Sequence, residues 1–501
     1  MNNSLEVLES RIRYISDKFN VVYGLSTHYD HFIDVKDYDL ECQEIGLEIL
    51  KTHNKDNLEN LPTFDENIAV FIISVLLNHG GGVRMLEDYV KIYQNLGMKC
   101  KIIVTEIRKS HPDTIKFFQN LNTEVIIFSD ENDYTTRIVK LQNLLMQFRP
   151  HTVFLFHFHS DFAAICGVQK QLVNKLYLPL ILDHSISIGI HIPYIDKIII
   201  NRKYLMMYFK NYIKIPEEKL CYIPLSKNDM IGNKIALDRK YCVNGYITTG
   251  SCTSCITKIT NTFKYKFIDV IVEVLKITKG KHIHIGAITD DQIVFIKQQL
   301  ISSNIDPESF VHIKNTSCLA KCFLENNIDI LIQTFPIGGG LVSVEAMQSG
   351  LKIINYLHEY SYIYNMKDWL YPEAFFWQKP KELYEHLKDL RAENIAKEGQ
   401  ISRKFYDEQL TNQERLYAKN NIKGMAVDYE VVEKIFNYKI NIFDYLFSIA
   451  SNKINKSEVD FYKSNTVDFY KSNTLKKIMN RIRINLFRII KNKPLMHIVK
   501  K

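Results

Sequence analysis

"DILIQTFPIGGGLVSVEAMQSGLKIINY" occupies Asp329–Tyr356 and sets three successive glycines, Gly338–Gly340, between two runs of different texture. Asp329–Gln333 is short and apolar, which predicts a buried strand. Leu341–Ser349 has apolar residues at helical spacing and one acid, Glu345. The glycines therefore fall between the carboxyl end of a strand and the amino end of a helix. There, unpaired backbone N–H groups and the helix dipole favour an anion, and glycine lets it approach the backbone. A diphosphate is the candidate ligand. A plain strand-to-helix turn would also account for the glycines, because short glycine motifs recur by chance. The stretch matches neither G-x-G-x-x-G nor G-x-x-x-x-G-K-[ST], so neither a dinucleotide fingerprint nor a P-loop is predicted. Glu345, six residues beyond Gly339, is placed either to accept hydrogen bonds from ribose hydroxyls or to stand as a solvated helix acid.

Outward from this stretch the same alternation repeats. On the carboxyl side of the chain it predicts strands at Tyr246–Thr249, His282–Ile285, Val311–Lys314, Ile328–Gln333 and Lys352–Tyr356. Helices fall between them at Phe263–Lys276, Asp290–Ser302, Ser317–Asn326 and Leu341–Ser349. An earlier series starts at Asn67, with strands at Ile68–Asn78, Lys101–Thr105, Glu124–Phe128, Thr152–Phe158, Leu180–Ile186, Asp196–Asn201 and Cys221–Pro224. Its helices are Val83–Leu96, Thr114–Asn120, Thr135–Phe148 and Phe162–Leu176. Strands apolar on both faces and separated by helices imply parallel sheets covered on both sides. The fold class is therefore α/β, with two Rossmann-like doubly wound domains facing a cleft and ligands beyond the carboxyl ends of the strands.

The predicted organisation is a helical amino-terminal extension (1–66), an amino-terminal Rossmann-like domain (67–235) and a carboxyl-terminal Rossmann-like domain (236–380). A helical segment (381–450), a spacer (451–474) and a basic tail (475–501) follow. VDFYKSNT occurs twice in tandem, Val459–Thr466 and Val467–Thr474, too few copies to stack a core.

The 501 residues exceed one ordinary core, and 46% hydrophobic with 24% charged residues reads as soluble and globular. No apolar run reaches the roughly 20 residues of a spanning helix, and the charged start lacks a secretory signal pattern. Nine scattered cysteines suit reduced thiols of a cytoplasmic protein. The net charge of +8 is concentrated in Leu475–Lys501, which holds nine Lys/Arg and no acid, leaving the body at about −1. That argues against a nucleic-acid partner. Apolar residues at helical spacing, from Leu475 to Ile490, make the tail a candidate for an anionic membrane surface, peripheral at the inner face of the plasma membrane, or for a partner protein.

Thr334–Ile354, TFPIGGGLVSVEAMQSGLKII, resembles the nucleotide-sugar-binding segment of GT-B glycosyltransferases, where a glycine turn, a Glu-Ala pair and a closing glycine recur; Gly350 fits that place. Many retaining members carry a second Glu in the spacing E-x7-E. The matching position here is Ile337, a departure from that subgroup. The PIGGG form resembles instead the O-GlcNAc-transferase-like and adhesin-glycosylating enzymes, which are typically inverting. Thr248–Lys276, TTGSCTSCITKITNTFKYKFIDVIVEVLK, resembles the segment that opens their second domain.

The resemblance implies transfer of a sugar from a nucleotide-diphosphate donor, a UDP-sugar by family, to a protein or surface-glycan hydroxyl. Neither a metal nor a cofactor beyond that co-substrate is expected. Lys258 then lies on the donor diphosphate, with Ser251, Gly338, Gly339, Gly340 and Glu345 as donor-binding residues. Asn78–Tyr93, NHGGGVRMLEDYVKIY, is a second glycine junction between strand and helix. It places Asn78, His79, Gly80, Gly81 and Gly82 on the acceptor side, and His79 can act as general base or hydrogen-bond donor. Arg84, one turn into that helix, reads as a cleft or an ordinary surface residue.

His151–Phe162, HTVFLFHFHSDF, resembles the H-x-H-x-D strand end of such amino-terminal domains and adds His159 and Asp161, while His184 ends the next predicted strand. His157 and His159 can also be satisfied core histidines. Cys252 and Cys255 form C-x-x-C without a second pair at zinc spacing, and read as packing residues. The same architecture serves GT-B-type nucleotide-sugar epimerases, and a catalytically silent scaffold subunit is the non-enzymatic alternative.

Overall fold

The computed structural model describes residues 2–26, 35–53, 58, 60–78, 80–129, 133–181, 187–254, 256–259, 265–358, 365–411, 416–418 and 421–435. His79, His184, Cys255, the VDFYKSNT repeat and the basic tail lie outside the described residues.

In the amino-terminal half, α1 (Asn2–Ser26) and α2 (Lys36–His53) precede β1 (Asp65–Ile73). Then come α3 (Gly81–Asn95), β2 (Lys99–Val104), α4 (Pro112–Asn120), β3 (Glu124–Ile127), α5 (Tyr134–Phe148) and β4 (Pro150–Phe156). The series continues with α6 (Phe162–Gly167), β5 (Lys175–Pro179), β6 (Lys197–Ile200), α7 (Lys203–Tyr208) and β7 (Leu220–Tyr222). These seven strands form one sheet in the order β3-β2-β1-β4-β5-β6-β7, all parallel.

The second half holds α8 (Asn233–Leu237), β8 (Thr249–Thr253), α9 (Phe267–Thr278), β9 (His282–Gly286), α10 (Asp290–Ser302) and β10 (Phe310–Ile313). It ends with α11 (Leu319–Glu325), β11 (Ile330–Ile332), α12 (Gly340–Gln348), β12 (Lys352–Tyr356), β13 (Phe375–Trp377), α13 (Pro380–Asp389) and α14 (Ala392–Phe405). Its six parallel strands run β10-β9-β8-β11-β12-β13. Each sheet reverses its strand order once, between β1 and β4 and between β8 and β11. Crevices open at such reversals, beyond the carboxyl ends of the strands.

Why the sheets are buried on both faces is visible along β1. Ala69, Phe71 and Ile73 enter one core layer, and Ile68, Val70 and Ile72 enter the opposite one, as the two-residue period of a strand requires. Phe71 stacks on Phe154 of β4 with ring centroids 5.0 Å apart. In the second sheet Ile330 and Ile332 face one layer and Leu331 the other. The amino-terminal helices are part of the first domain's core: Ile12, Phe19, Cys42 and Ile49 pack with Leu141, Ile165 and Leu178.

Several expected elements are corrected. The helix from Phe162 stops at Gly167 instead of Leu176. Beyond it KLYLP is strand β5, with Leu176 and Leu178 in one layer and Tyr177 in the other. That strand lies before the position expected from Leu180, and residues 182–186 fall outside the described residues. The strand placed at Tyr246–Thr249 is instead Thr249–Thr253, made of small polar residues that apolar periodicity does not mark.

The segment after 381 is also not uniformly helical. Past α14, a short antiparallel pair, β14 (Tyr417–Ala418) with β15 (Asn421–Ile422), precedes α15 (Tyr429–Ile435). This piece returns to the first domain. Tyr417 and Ile422 join the layer of Phe71, Val432 joins the opposite layer, and the Met425 amide donates to the Tyr222 carbonyl at 2.8 Å.

Tyr417, 8% exposed, meets Tyr89 edge-on at 5.0 Å. Tyr417→Ala is expected to lower the stability of the folded chain by about 3 kcal/mol, the usual cost of an aromatic cavity. Urea denaturation followed by circular dichroism checks this, and an unchanged midpoint would contradict the shared core.

Candidate functional site

The second sheet's reversal point is where the quoted stretch lies. Lys258 follows β8 and the glycine turn follows β11, its neighbour in the sheet, so two loops distant in sequence meet. Lys258 Nζ donates to the Gly338 carbonyl at 2.7 Å. Gln333, at the end of β11, holds the turn from below. Its side-chain Nε2 donates to the Gly339 carbonyl at 3.2 Å, and its Oε1 accepts the Gly339 amide at 3.1 Å. Nε2 also reaches Ser343 Oγ in the first turn of α12. No side chain caps the α12 amino terminus, so its first amides keep the positive end of the helix dipole available.

The reason for the glycines is partly different from the expected one. A Cβ on Gly338 would lie 2.7 Å from Met366 Sδ, and one on Gly340 would lie 2.5 Å from Leu225 Cδ1 and 2.7 Å from the Trp369 ring. These two glycines are required by packing of the protein on itself. Gly339 is the half-buried member, and a Cβ there meets only Val342 of the next turn, at 3.2 Å. Close approach from outside is therefore open chiefly at Gly339.

Glu345 projects from α12 into a region rich in cations. Burial pushes its carboxyl above the ordinary value, while the charges of Lys227 and Arg84 and the Ala320 and Leu319 amides pull it down. Its Oε2 is buried without a hydrogen-bond partner among the described residues, an acceptor poised for a donor from elsewhere. Cys252 lies alongside, its thiol pushed up to about 12 by burial and by the Glu345 charge. Lys227 also pairs with Asp88 of α3 at 3.7 Å. Burial raises the Glu87 carboxyl, yet Lys91, Lys227 and Arg84 bring it below the ordinary range.

Lys227 thus links α3 of the first domain with α12 of the second. Sequence reasoning missed it, because a lone lysine in an irregular stretch carries no motif. Its loop is fixed by Tyr406, whose hydroxyl donates to the Lys227 carbonyl at 2.6 Å. Gln348 adds a hydrogen bond to the Asn228 carbonyl at 2.8 Å.

The amino-terminal glycines lie across from this turn. Gly81 and Gly82 open α3, and a Cβ on Gly81 would come 3.5 Å from Leu341 of α12, whereas Gly80 faces open space. Asn78, at the end of the loop after β1, is exposed. His159 follows β4, half-buried, with its ring 6.5 Å from Phe19 of α1. His157 is a core histidine: Nε2 contacts the Ile188 carbonyl at 2.7 Å, and burial lowers its pKa.

Two expected cleft residues are instead structural. Asp161 is fully buried and ties three strand ends. It accepts Ser74 Oγ at 2.5 Å, Thr105 Oγ1 and the Ala164 amide at 3.1 Å as the cap of α6. Ser251 is likewise fully buried. Its hydroxyl lies 2.8 Å from both His282 Nε2 and His284 Nδ1, and Thr249 Oγ1 lies 2.9 Å from His282 Nδ1. The hydroxyls of Thr249 and Ser251 on β8 are thus engaged by the histidines of β9.

Among the described residues, no group of three or more His, Cys, Asp or Glu side chains is arranged to hold a metal ion, and no helix is long and apolar enough to cross a membrane.

Two doubly wound domains with their reversal points at the strand ends, and a chain that returns to the first domain, make up the GT-B fold of glycosyltransferases. No family model matches the sequence, and no curated protein does. Among solved structures, a glycosyltransferase from Rickettsia africae is similar at 13% identity, over 74% of this chain and 100% of that one, with a TM-score of 0.52. The TarM protein of S. aureus, solved as a variant with Fondaparinux, alpha-GlcNAc-glycerol and UDP, is similar at 10% identity, over 74% of this chain and 100% of that one, with a TM-score of 0.50.

Burial drives the pKa of His282 well below 6.5 and that of His284 down to about 4. Both are neutral in the fold and take up protons more readily when unfolded. Stability is therefore complete above pH 6.5 and declines as pH falls from 6.5 toward 4. His284 alone contributes about 3 kcal/mol across that window. Urea midpoints at pH 7, 5.5 and 4.5 should fall in order, and His284→Asn should flatten the decline; an equal slope in the variant would contradict the assignment.

Proposed function

We propose that the chain is a glycosyltransferase that moves a sugar from a UDP-sugar to a hydroxyl of a glycan or protein acceptor. The observation that carries this reading is the Lys258 amine 2.7 Å from the Gly338 carbonyl, at the reversal point of the second sheet and beside the uncapped start of α12. A departing nucleoside diphosphate gains negative charge, and a fixed ammonium together with helix amides stabilises that charge in a partly dry site. On binding, the diphosphate takes over the Lys258 contact now made to the turn. The unpaired Oε2 of Glu345 accepts a ribose or sugar hydroxyl. Arg84 and Lys227 supply further positive charge from the facing side. The metal-independent route is part of the proposal, with the cations and the helix dipole in the place a divalent ion would otherwise take. The TarM structure is a complex with UDP and alpha-GlcNAc-glycerol, which agrees in chemistry with a uridine donor and a glycan acceptor.

On the acceptor side, His79 and His159 are proposed to orient or deprotonate the incoming hydroxyl. Asn78 and Gly80–Gly82 would shape the approach. A cytoplasmic location, with Leu475–Lys501 resting on an anionic membrane, belongs to the same proposal, supported by nine cations and no acid in that segment. Removing residues 475–501 should abolish co-sedimentation with phosphatidylserine vesicles; unchanged sedimentation would remove the membrane from the proposal.

Incubation with labelled UDP-sugars should release UDP in the presence of acceptor, and Lys258→Ala should lower kcat/KM about a hundredfold. Undiminished turnover in the variant would unseat Lys258. Isomerised donor without acceptor would mark an epimerase, and calorimetric silence toward uridine and guanosine diphosphates a scaffold.

A further inference from the structure

A buried cluster spans the two domains beside the glycine turn. Arg202, just past β6, is 1% exposed. Its guanidinium holds Asp368 through Nη2 at 2.8 Å and Nε at 3.1 Å, and it also donates to the Asn365 carbonyl. Asp368 accepts the Tyr204 amide at 2.9 Å in addition. Trp369 completes the clasp: its indole N–H donates to the Asn201 carbonyl at 2.7 Å, and Arg202 lies 5.0 Å above its ring.

Residues 365–369 belong to the second domain, and the same short segment forms the wall of the turn. Met366 sits against Gly338, and Trp369 against Gly340, closely enough that no Cβ fits at either glycine. One five-residue piece thus grips the first domain with Asp368 and Trp369 and supports the turn with Met366 and Trp369.

We propose that Arg202 is a positioning residue that couples the relation of the two domains to the geometry of the Gly338–Gly340 turn. It does so through Asp368 and Trp369, without touching a nucleotide. The proposal rests on the donor-turn reading above for its consequence, a dependence of donor affinity on Arg202. Nε and Nη2 converge on the single oxygen Oδ1 of Asp368 while Oδ2 takes the Tyr204 amide, so the planar guanidinium sets direction as well as distance, which a lysine ammonium does not. Interiors packed this closely pass a displacement on to the next side chain without absorbing it.

The test compares the full chain with Arg202→Lys and with the double variant Arg202→Met/Asp368→Leu, which removes both buried charges so that neither is left uncompensated. Amide hydrogen exchange is read at residues 337–343, with β1 and β4 as internal controls and no nucleotide present. The expected result is at least roughly tenfold faster exchange at the turn in both variants, with β1 and β4 protection retained. UDP titration of the same proteins should show a Kd raised roughly tenfold.

Exchange at the turn equal to wild type in a folded variant would overturn the coupling. So would a double variant that regains both stability and wild-type exchange, since the pair would then matter only for folding. The exchange arm needs no ligand. A wild-type chain indifferent to UDP would therefore remove the donor reading while the coupling is still decided.

Discussion

A guanidinium taken out of water must be matched, and among the described residues Arg202 is met by groups from the other domain: the Asp368 carboxylate, the Asn365 carbonyl and the Trp369 ring. Removing one partner of such a pair strands a buried charge, at a cost of roughly 3–5 kcal/mol. The two sheets are consequently bound by a contact with direction, in addition to apolar packing. The turn leans on Met366 and Trp369, and the Lys227 loop leans on Tyr406 and Gln348.

The two reversal points solve the same topological problem in opposite ways. In the first domain, the loops after β1 and β4 are closed by a buried carboxylate: Asp161 gathers Ser74 and Thr105, and Ser74 Oγ in turn receives the Phe158 amide at 2.8 Å. In the second domain, the loops after β8 and β11 meet through a cation and a carbonyl, Lys258 and Gly338. The first arrangement consumes its own donors. The second sets the Lys258 ammonium beside a helix start that no side chain caps. Electrostatics thus distinguishes two domains of like architecture.

Where strands are apolar on both faces, their order could be read from the chain alone. Asp290–Ser302 and Lys352–Tyr356 fall where the sequence puts them: the helix is opened by a Thr289–Gln292 capping box and buries Ile296 and Leu300, and the strand is buried along its whole length. Strand β8 was displaced because Thr249, Ser251 and Thr253 are small and polar, and only the histidines of β9 make their burial affordable. Ser251 and Asp161 looked like site residues for the same reason that they are structural: a polar group at a strand end has to bond with something. Local sequence does not say whether the partner is a ligand or the next strand. Lys227 was invisible from the opposite direction, since nothing near it in sequence distinguishes it from a surface lysine.

The sequence by itself determined two parallel, doubly wound sheets, and it placed a glycine junction at the carboxyl end of β11 with Glu345 on the helix that follows. Those features depend on side-chain period and on backbone requirements a few residues long. Only the tertiary structure decided that Gly338 and Gly340 are small for the sake of Met366, Leu225 and Trp369. It also decided that Arg202 spans the domains and that Lys227 faces Glu345. These depend on contacts between segments well separated along the chain, and no local pattern encodes which surface a side chain will meet once the chain has closed on itself.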